Sequence, residues 1–142
     1  MATIDRADWH SGADNFPDDV PEENGATHIG MFVRWAIGRG FFVDDATPAE
    51  AIEAVRAGRM SGRNLVLEHL DGKLWPSMLT QECADFAEAH WNDFIEDFAG
   101  LPPESGDTVY HVEDTTENYE IVAAALDERW ARYTGGSLGQ TT

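Results

Sequence analysis

The sequence predicts an all-α domain: a bundle of about five helices, an irregular N-terminal segment, and at most one or two short strands. Three observations predict it. Apolar residues recur at three- and four-residue spacing in five separate segments. Ser, Thr or Asp start signals precede four of those segments. Glycines and prolines then close them. A chain of 142 residues is long enough to bury roughly two-thirds of its unfolded surface in one core. The expected organisation is one helical domain over 1–134 and a flexible tail over 135–142.

Residues 1–23 read as irregular, because Asp14-Asn-Phe-Pro-Asp-Asp-Val-Pro21 mixes turn formers with prolines. Trp9, Phe16 and Val20 imply that this segment packs across the domain. The first helix runs from Asn24 or Ala26 to Gly38. Ile29, Phe32, Val33, Ala36 and Ile37 line one face, and Met31 and Trp35 extend the apolar surface to a second. A helix apolar on two faces is central, and Gly30 lets another backbone approach it closely. Thr47-Pro-Ala-Glu50 reads as a capping box for the second helix, which carries Ala51, Ile52 and Val55 inward and stops at Gly58. The third follows Ser61 and spans Gly62 to Leu70. The fourth follows Thr80, with Cys83, Phe86, Ala87, His90, Trp91, Phe94, Ile95 and Phe98 as a wide inner stripe; Gly100, Pro102 and Pro103 end it. Residues 108–112 permit a short strand. Asp114-Thr-Thr-Glu117 reads as the capping box of the fifth helix, lined by Tyr119, Val122, Ala123, Leu126, Trp130 and Tyr133.

The charge excludes several functions. Twenty-seven acids face nine bases, for a net charge of −18, and Lys73 is the only lysine. Such a chain repels nucleic acid and anionic membrane and attracts cationic protein surfaces. An acidic, lysine-poor surface is also what some bacterial proteomes produce generally. The single Cys83 forbids an internal disulfide. The polar start lacks the basic and apolar regions of a secretory signal. The apolar stretch from Ile29 to Ile37 is too short to span a bilayer. The expectation is a cytoplasmic protein that binds neither nucleic acid nor membrane.

No complete catalytic motif is present, and no cofactor is expected. The histidines, His10, His28, His69, His90 and His111, fall in neither HExxH nor a Cys/His pattern. Cys83 lies beside Glu82 and Asp85, which oppose a thiolate. Ser61, Ser77 and Ser105 have no nucleophile motif around them, and no acidic stretch matches a calcium loop. A weaker alternative is a His/carboxylate metal site drawn from His10, His28, His111 and Glu113.

Asp8-Trp-His10, Asn15-Phe-Pro-Asp18 with Val20-Pro21, Ala26-Thr-His-Ile-Gly-Met-Phe32 with Trp35-Ala36, and Tyr110-His-Val-Glu-Asp-Thr115 with Glu117-Asn-Tyr119 form a set of motifs. In these the chain resembles a family of small, acidic, uncharacterised bacterial proteins. Residues 56–80 depart from that pattern. Proteins of this kind resemble the immunity proteins of bacterial toxin systems. The resemblance singles out Asp8, His10, Thr27, His28, His111, Glu113 and Asp114 as a polar cluster, either a network holding the N-terminal segment or a pocket.

The leading expectation is therefore an acidic binding protein that occludes a cognate toxin with a basic surface. Asp44, Asp45, Asp85, Glu88, Asp93, Glu96 and Asp97 are the candidate contact acids. A metal-dependent enzyme and a small-molecule-binding regulator are the alternatives.

Overall fold

Helix α2 (Thr27–Arg39) is the element around which the others assemble. Ten of its thirteen residues are buried, so it presents apolar surface nearly all round and takes neighbours on every side. The computed structural model describes residues 3–12, 16–101 and 109–135, and the side chain of Val109 is not among the described groups. In order, the chain forms β1 (Asp5–Arg6), α1 (Ala7–Ser11), a 3-10 turn (Glu22–Ala26), α2, α3 (Ala49–Arg56), α4 (Gly62–His69) and β2 (Lys73–Leu74). A 3-10 turn (Pro76–Met78), α5 (Gln81–Ala99), a 3-10 turn (Val109–His111) and α6 (Thr116–Tyr133) follow. The mainly α architecture with very short strands agrees with the sequence.

The tightest helix contact is between α2 and α4, and two glycines permit it. A Cβ at Gly30 would lie 2.2 Å from the Arg63 backbone nitrogen. A Cβ at Gly62 would lie 1.9 Å from the Gly30 carbonyl oxygen. The backbones therefore touch, as Gly30 led us to expect. Ser61 caps α4 by accepting from the Asn64 amide at 3.0 Å. Helices α5 and α6 also pack on α2, and Phe86, Phe94 and Phe98 of α5 and Val122 and Leu126 of α6 are buried. Phe32 meets Phe94 edge-on at 5.6 Å between ring centroids. The Trp35 indole donates to Asp127 of α6 at 2.9 Å.

The two short strands tie the N-terminal segment to this body. β1 pairs antiparallel with β2, with Asp5 opposite Leu74 and Arg6 opposite Lys73. Ile4 and Ala7 extend the ladder by donating to the Leu74 and Gly72 carbonyls, each at 2.7 Å. Alternation along β1 turns Asp5 inward, where it is 4% exposed, and leaves Arg6 half-buried.

Several local expectations are corrected. The segment before residue 23 is not wholly irregular; it holds β1 and α1, and the turn at Glu22–Ala26 precedes α2. Thr47 does not cap α3. Its buried hydroxyl donates to Asp44 at 2.5 Å, and Pro48 stands at the cap position with no side-chain bond. Thr115, not Asp114, caps α6 by accepting from the Asn118 amide at 3.1 Å. Where a strand was permitted, Val109–His111 is a 3-10 turn. Helix α5 breaks at His90 (φ −123°, ψ 17°). The Pro102-Pro103 stop and the tail expected beyond residue 135 lie outside the described residues.

Replacing Gly30 or Gly62 by Ala places a methyl group against immovable backbone. Each change is expected to cost at least about 3 kcal/mol in denaturant unfolding. Gly38 has open space around its Cβ position. Gly38→Ala is expected to be neutral or to stabilise by up to about 1 kcal/mol, from helix propensity alone.

Candidate functional site: a buried carboxylate hub and the cleft beside it

Four N–H groups converge on the Asp5 carboxylate. His10 Nε2 lies 2.9 Å and the Arg6 amide nitrogen 2.8 Å from Oδ1. His28 Nε2 lies 2.8 Å and Trp91 Nε1 2.9 Å from Oδ2. The donors come from different elements: His10 from α1, His28 from α2, Trp91 from α5. The His10 and His28 rings meet edge-on, with centroids 4.6 Å apart. The second ring nitrogen of His10, Nδ1, lies 2.9 Å from the Tyr110 hydroxyl.

Protonation follows from this geometry. Burial alone would push the Asp5 carboxyl upward, but the bonds from His10 and His28 outweigh it and hold the group well below the usual carboxylate range. Complete burial pushes His28 below its ordinary value, and the Asp5 contact offsets only part of that. An ionised carboxylate can only accept, so both Nε2 atoms carry hydrogen. Burial, followed by the Asp5 charge, raises the Tyr110 phenol above its ordinary value.

A cleft of about 350 Å³ adjoins the hub, lined among others by Asp19, Asn24, Arg63, His111, Glu113 and Asp114. Asn24 joins the two sites. Its amide donates to the Tyr110 carbonyl at 2.8 Å, and its oxygen accepts from Arg63 at 3.2 Å. Arg63 also donates to Thr27 at 3.2 Å and Glu23 at 3.3 Å, and its Nε faces Asp114 at 3.5 Å. His111 Nε2 lies 3.1 Å from Asp19.

The polar cluster read from the sequence thus divides. His10 and His28 meet in the hub. Thr27 and Asp114 meet at Arg63, and His111 and Glu113 line the cleft. Asp8 joins neither group; it is exposed and pairs with Arg6 at 2.8 Å. Of the acids proposed as contacts, Asp45, Asp85, Glu88 and Glu96 are exposed, while Asp44, Asp93 and Asp97 are half-buried. Asp97 receives two bonds from Arg129, and Asp93 one from His90. The Cys83 thiol is fully buried and pushed up to about 12, chiefly by burial and secondarily by Glu82. Sequence reasoning missed Asp5, Asn24 and Arg63. Asp5 sits in a plain acidic start, and only its pairing with β2 turns it inward.

A mainly α, strongly acidic domain built round a His-carboxylate hub is the class these features define. The chain belongs to a family described as a domain of unknown function, DUF7832, whose profile matches residues 3–112. That span contains Asp5, His10, His28, Trp91 and Tyr110 and ends before α6. No curated protein and no solved structure matches the chain.

Both depressed pKa values make acid destabilising. The contribution of neutral His28 is complete above its ordinary value of 6.5 and is lost as pH falls below it. The contribution of ionised Asp5 is complete above its ordinary value of 3.8 and is lost below that. The denaturant midpoint is expected to fall on acidification in two successive stages. Asp5→Asn turns an amide donor toward other donors and is expected to cost about 2–4 kcal/mol at neutral pH. Asp8→Asn, by contrast, is expected to cost less than about 1 kcal/mol.

Proposed function

We propose that the protein is an acidic binding domain that neutralises a bacterial toxin by occluding a basic surface around the toxin's active site. One observation carries this reading: eight of the chain's nine cationic side chains have partners within it. Arg6, Arg39, Arg56, Arg63, Lys73, Arg129 and Arg132 each pair with an acid of the same chain. Arg34 stacks on Tyr119, 4.1 Å from the ring centroid. The uncompensated carboxylates therefore dominate the field outside the protein, which speeds encounter with a cationic partner.

The exposed Asp85, Glu88 and Glu96 of α5, together with Asp45, are the contacts this reading favours. Asp93 and Asp97 are less available, because Arg129 and His90 already hold them. Trp9 is 55% exposed and lies beside Asp8, with the Arg6 guanidinium 5.7 Å from its ring. An exposed tryptophan in acidic surroundings suits the anchor role that aromatic residues take in interfaces. The hub contributes by holding α1, and hence Trp9, rigidly against the body. The alternative of a metal-dependent enzyme is favoured only by the convergence of two imidazoles on Asp5.

The test is affinity capture from the native host, followed by kinetics with the captured protein. The expected partner is a basic toxin whose association slows with added salt while its dissociation changes little. Replacing Asp85, Glu88 and Glu96 together by Lys is expected to slow association at least about tenfold without altering the unfolding midpoint by more than about 1 kcal/mol. An association rate indifferent to both salt and charge reversal would sink the reading.

A further inference from the structure

We propose that Asp5, His10 and His28 bind one divalent transition-metal ion of the zinc type. The inference is independent of the toxin reading, and it chooses a different ligand set from the one that paired His10 and His28 with His111 and Glu113. One ligand atom from each of Asp5, His10 and His28 can be chosen so that all lie within 4.8 Å of one another, and this is the only such three-residue group among the described residues. A tetrahedral ion with bonds of about 2 Å holds its ligands about 3.3 Å apart. The His10 and His28 nitrogens already lie 2.9 and 2.8 Å from the Asp5 oxygens. Both separations lie close to that spacing.

The donor chemistry selects the ion. Two imidazoles and one carboxylate suit zinc and its first-row neighbours, whereas calcium and magnesium prefer all-oxygen sets. The charge balance points the same way. The Asp5 carboxylate is buried, and its side-chain partners are His10, His28 and Trp91, with no Arg or Lys side chain among them. A divalent ion would take the Nε2 lone pairs, with each ring carrying its proton on Nδ1, and would place positive charge beside the carboxylate.

The hydrogen-bond partners of these ligands suit a metal site. Trp91 Nε1 and the Arg6 amide hold the Asp5 oxygens from outside, at 2.9 and 2.8 Å. The Tyr110 hydroxyl lies 2.9 Å from His10 Nδ1, the nitrogen left over when Nε2 binds metal. In that state Nδ1 carries the proton and donates it to Tyr110, which orients the ring. Three protein ligands leave one coordination position for water. The ion would join β1, α1 and α2, and the His10 side chain, 23% exposed, is the ligand nearest to solvent access.

The experiment uses the full chain, stripped with a chelator and dialysed against zinc with excess magnesium to occupy exposed carboxylates. After gel filtration, roughly one zinc per chain is expected by elemental analysis, with a raised melting temperature. Cobalt in place of zinc is expected to give the intense visible bands of a tetrahedral site. His10→Ala is expected to lose the zinc while keeping its far-UV circular dichroism, whereas His90→Ala and His111→Ala keep it. Tyr110→Phe is expected to weaken zinc binding by about tenfold or more. A wild-type chain that emerges without zinc overturns the proposal, as does a His10→Ala chain that retains as much as wild type. The wild-type cobalt spectrum needs no variant to fold, and the weak spectrum of an octahedral, all-oxygen site overturns it equally.

Discussion

The buried Asp5 carboxylate is the interaction on which the N-terminal half of this structure depends. Taking a carboxylate out of water is unfavourable unless each of its acceptor positions is filled. Here the Arg6 amide, His10, His28 and Trp91 fill them from four directions. The three side-chain donors belong to elements that are weakly held, as α1 is, or distant in sequence, as α2 and α5 are. A five-residue helix such as α1 has no independent stability. It persists because β1 pairs with β2 beneath it and because His10 reaches Asp5. The same carboxylate links α1 to α2 through His28 and to α5 through Trp91.

A second constraint works alongside the first. Contact between the backbones at Gly30 and Gly62 fixes the start of α4 against α2. Arg63, one residue further on, is thereby carried to the junction of Glu23, Asn24, Thr27 and Asp114. Asn24 bridges from Arg63 to the Tyr110 carbonyl, and Tyr110 closes the path to His10. Hub and cleft are thus parts of one hydrogen-bonded system. It joins residues from five separate stretches of chain: 5–10, 23–28, 63, 91 and 110–114. Such networks are unforgiving, since each unfilled position inside them is costly.

Two members of the hub, His10 and His28, were visible in the motifs of the family resemblance, which grouped them in one polar cluster. Their partner was not visible. Asp5 and Asp8 look equivalent as letters in an acidic start, yet one is buried and the other exposed. Their difference comes from β1, whose alternation points Asp5 inward, and β1 exists only because β2 lies beside it. Asp114 and Thr115 illustrate the same limit at α6. Either could cap the helix by local rules, and the long-range demand of Arg63 assigns Asp114 to the cleft and leaves Thr115 to cap. Thr47 is the converse case, where the hydroxyl is drawn away from α3 to Asp44.

What the sequence determined alone is what depends on short-range regularity and on composition. Three- and four-residue spacing marked the helices, apolar surface on two faces marked α2 as central, and Gly30 marked a close backbone approach. The count of acids and bases determined the sign of the field, whatever the fold. Tertiary structure decided which of many similar polar residues became buried. The pairing of β1 with β2 and the packing of α1, α2 and α5 brought Asp5, His10, His28, Trp91 and Tyr110 together from positions as far apart as 5 and 110. Chain spacing carries no information about such a convergence, because it is fixed by how the elements pack and by the requirement that every buried polar group find a partner.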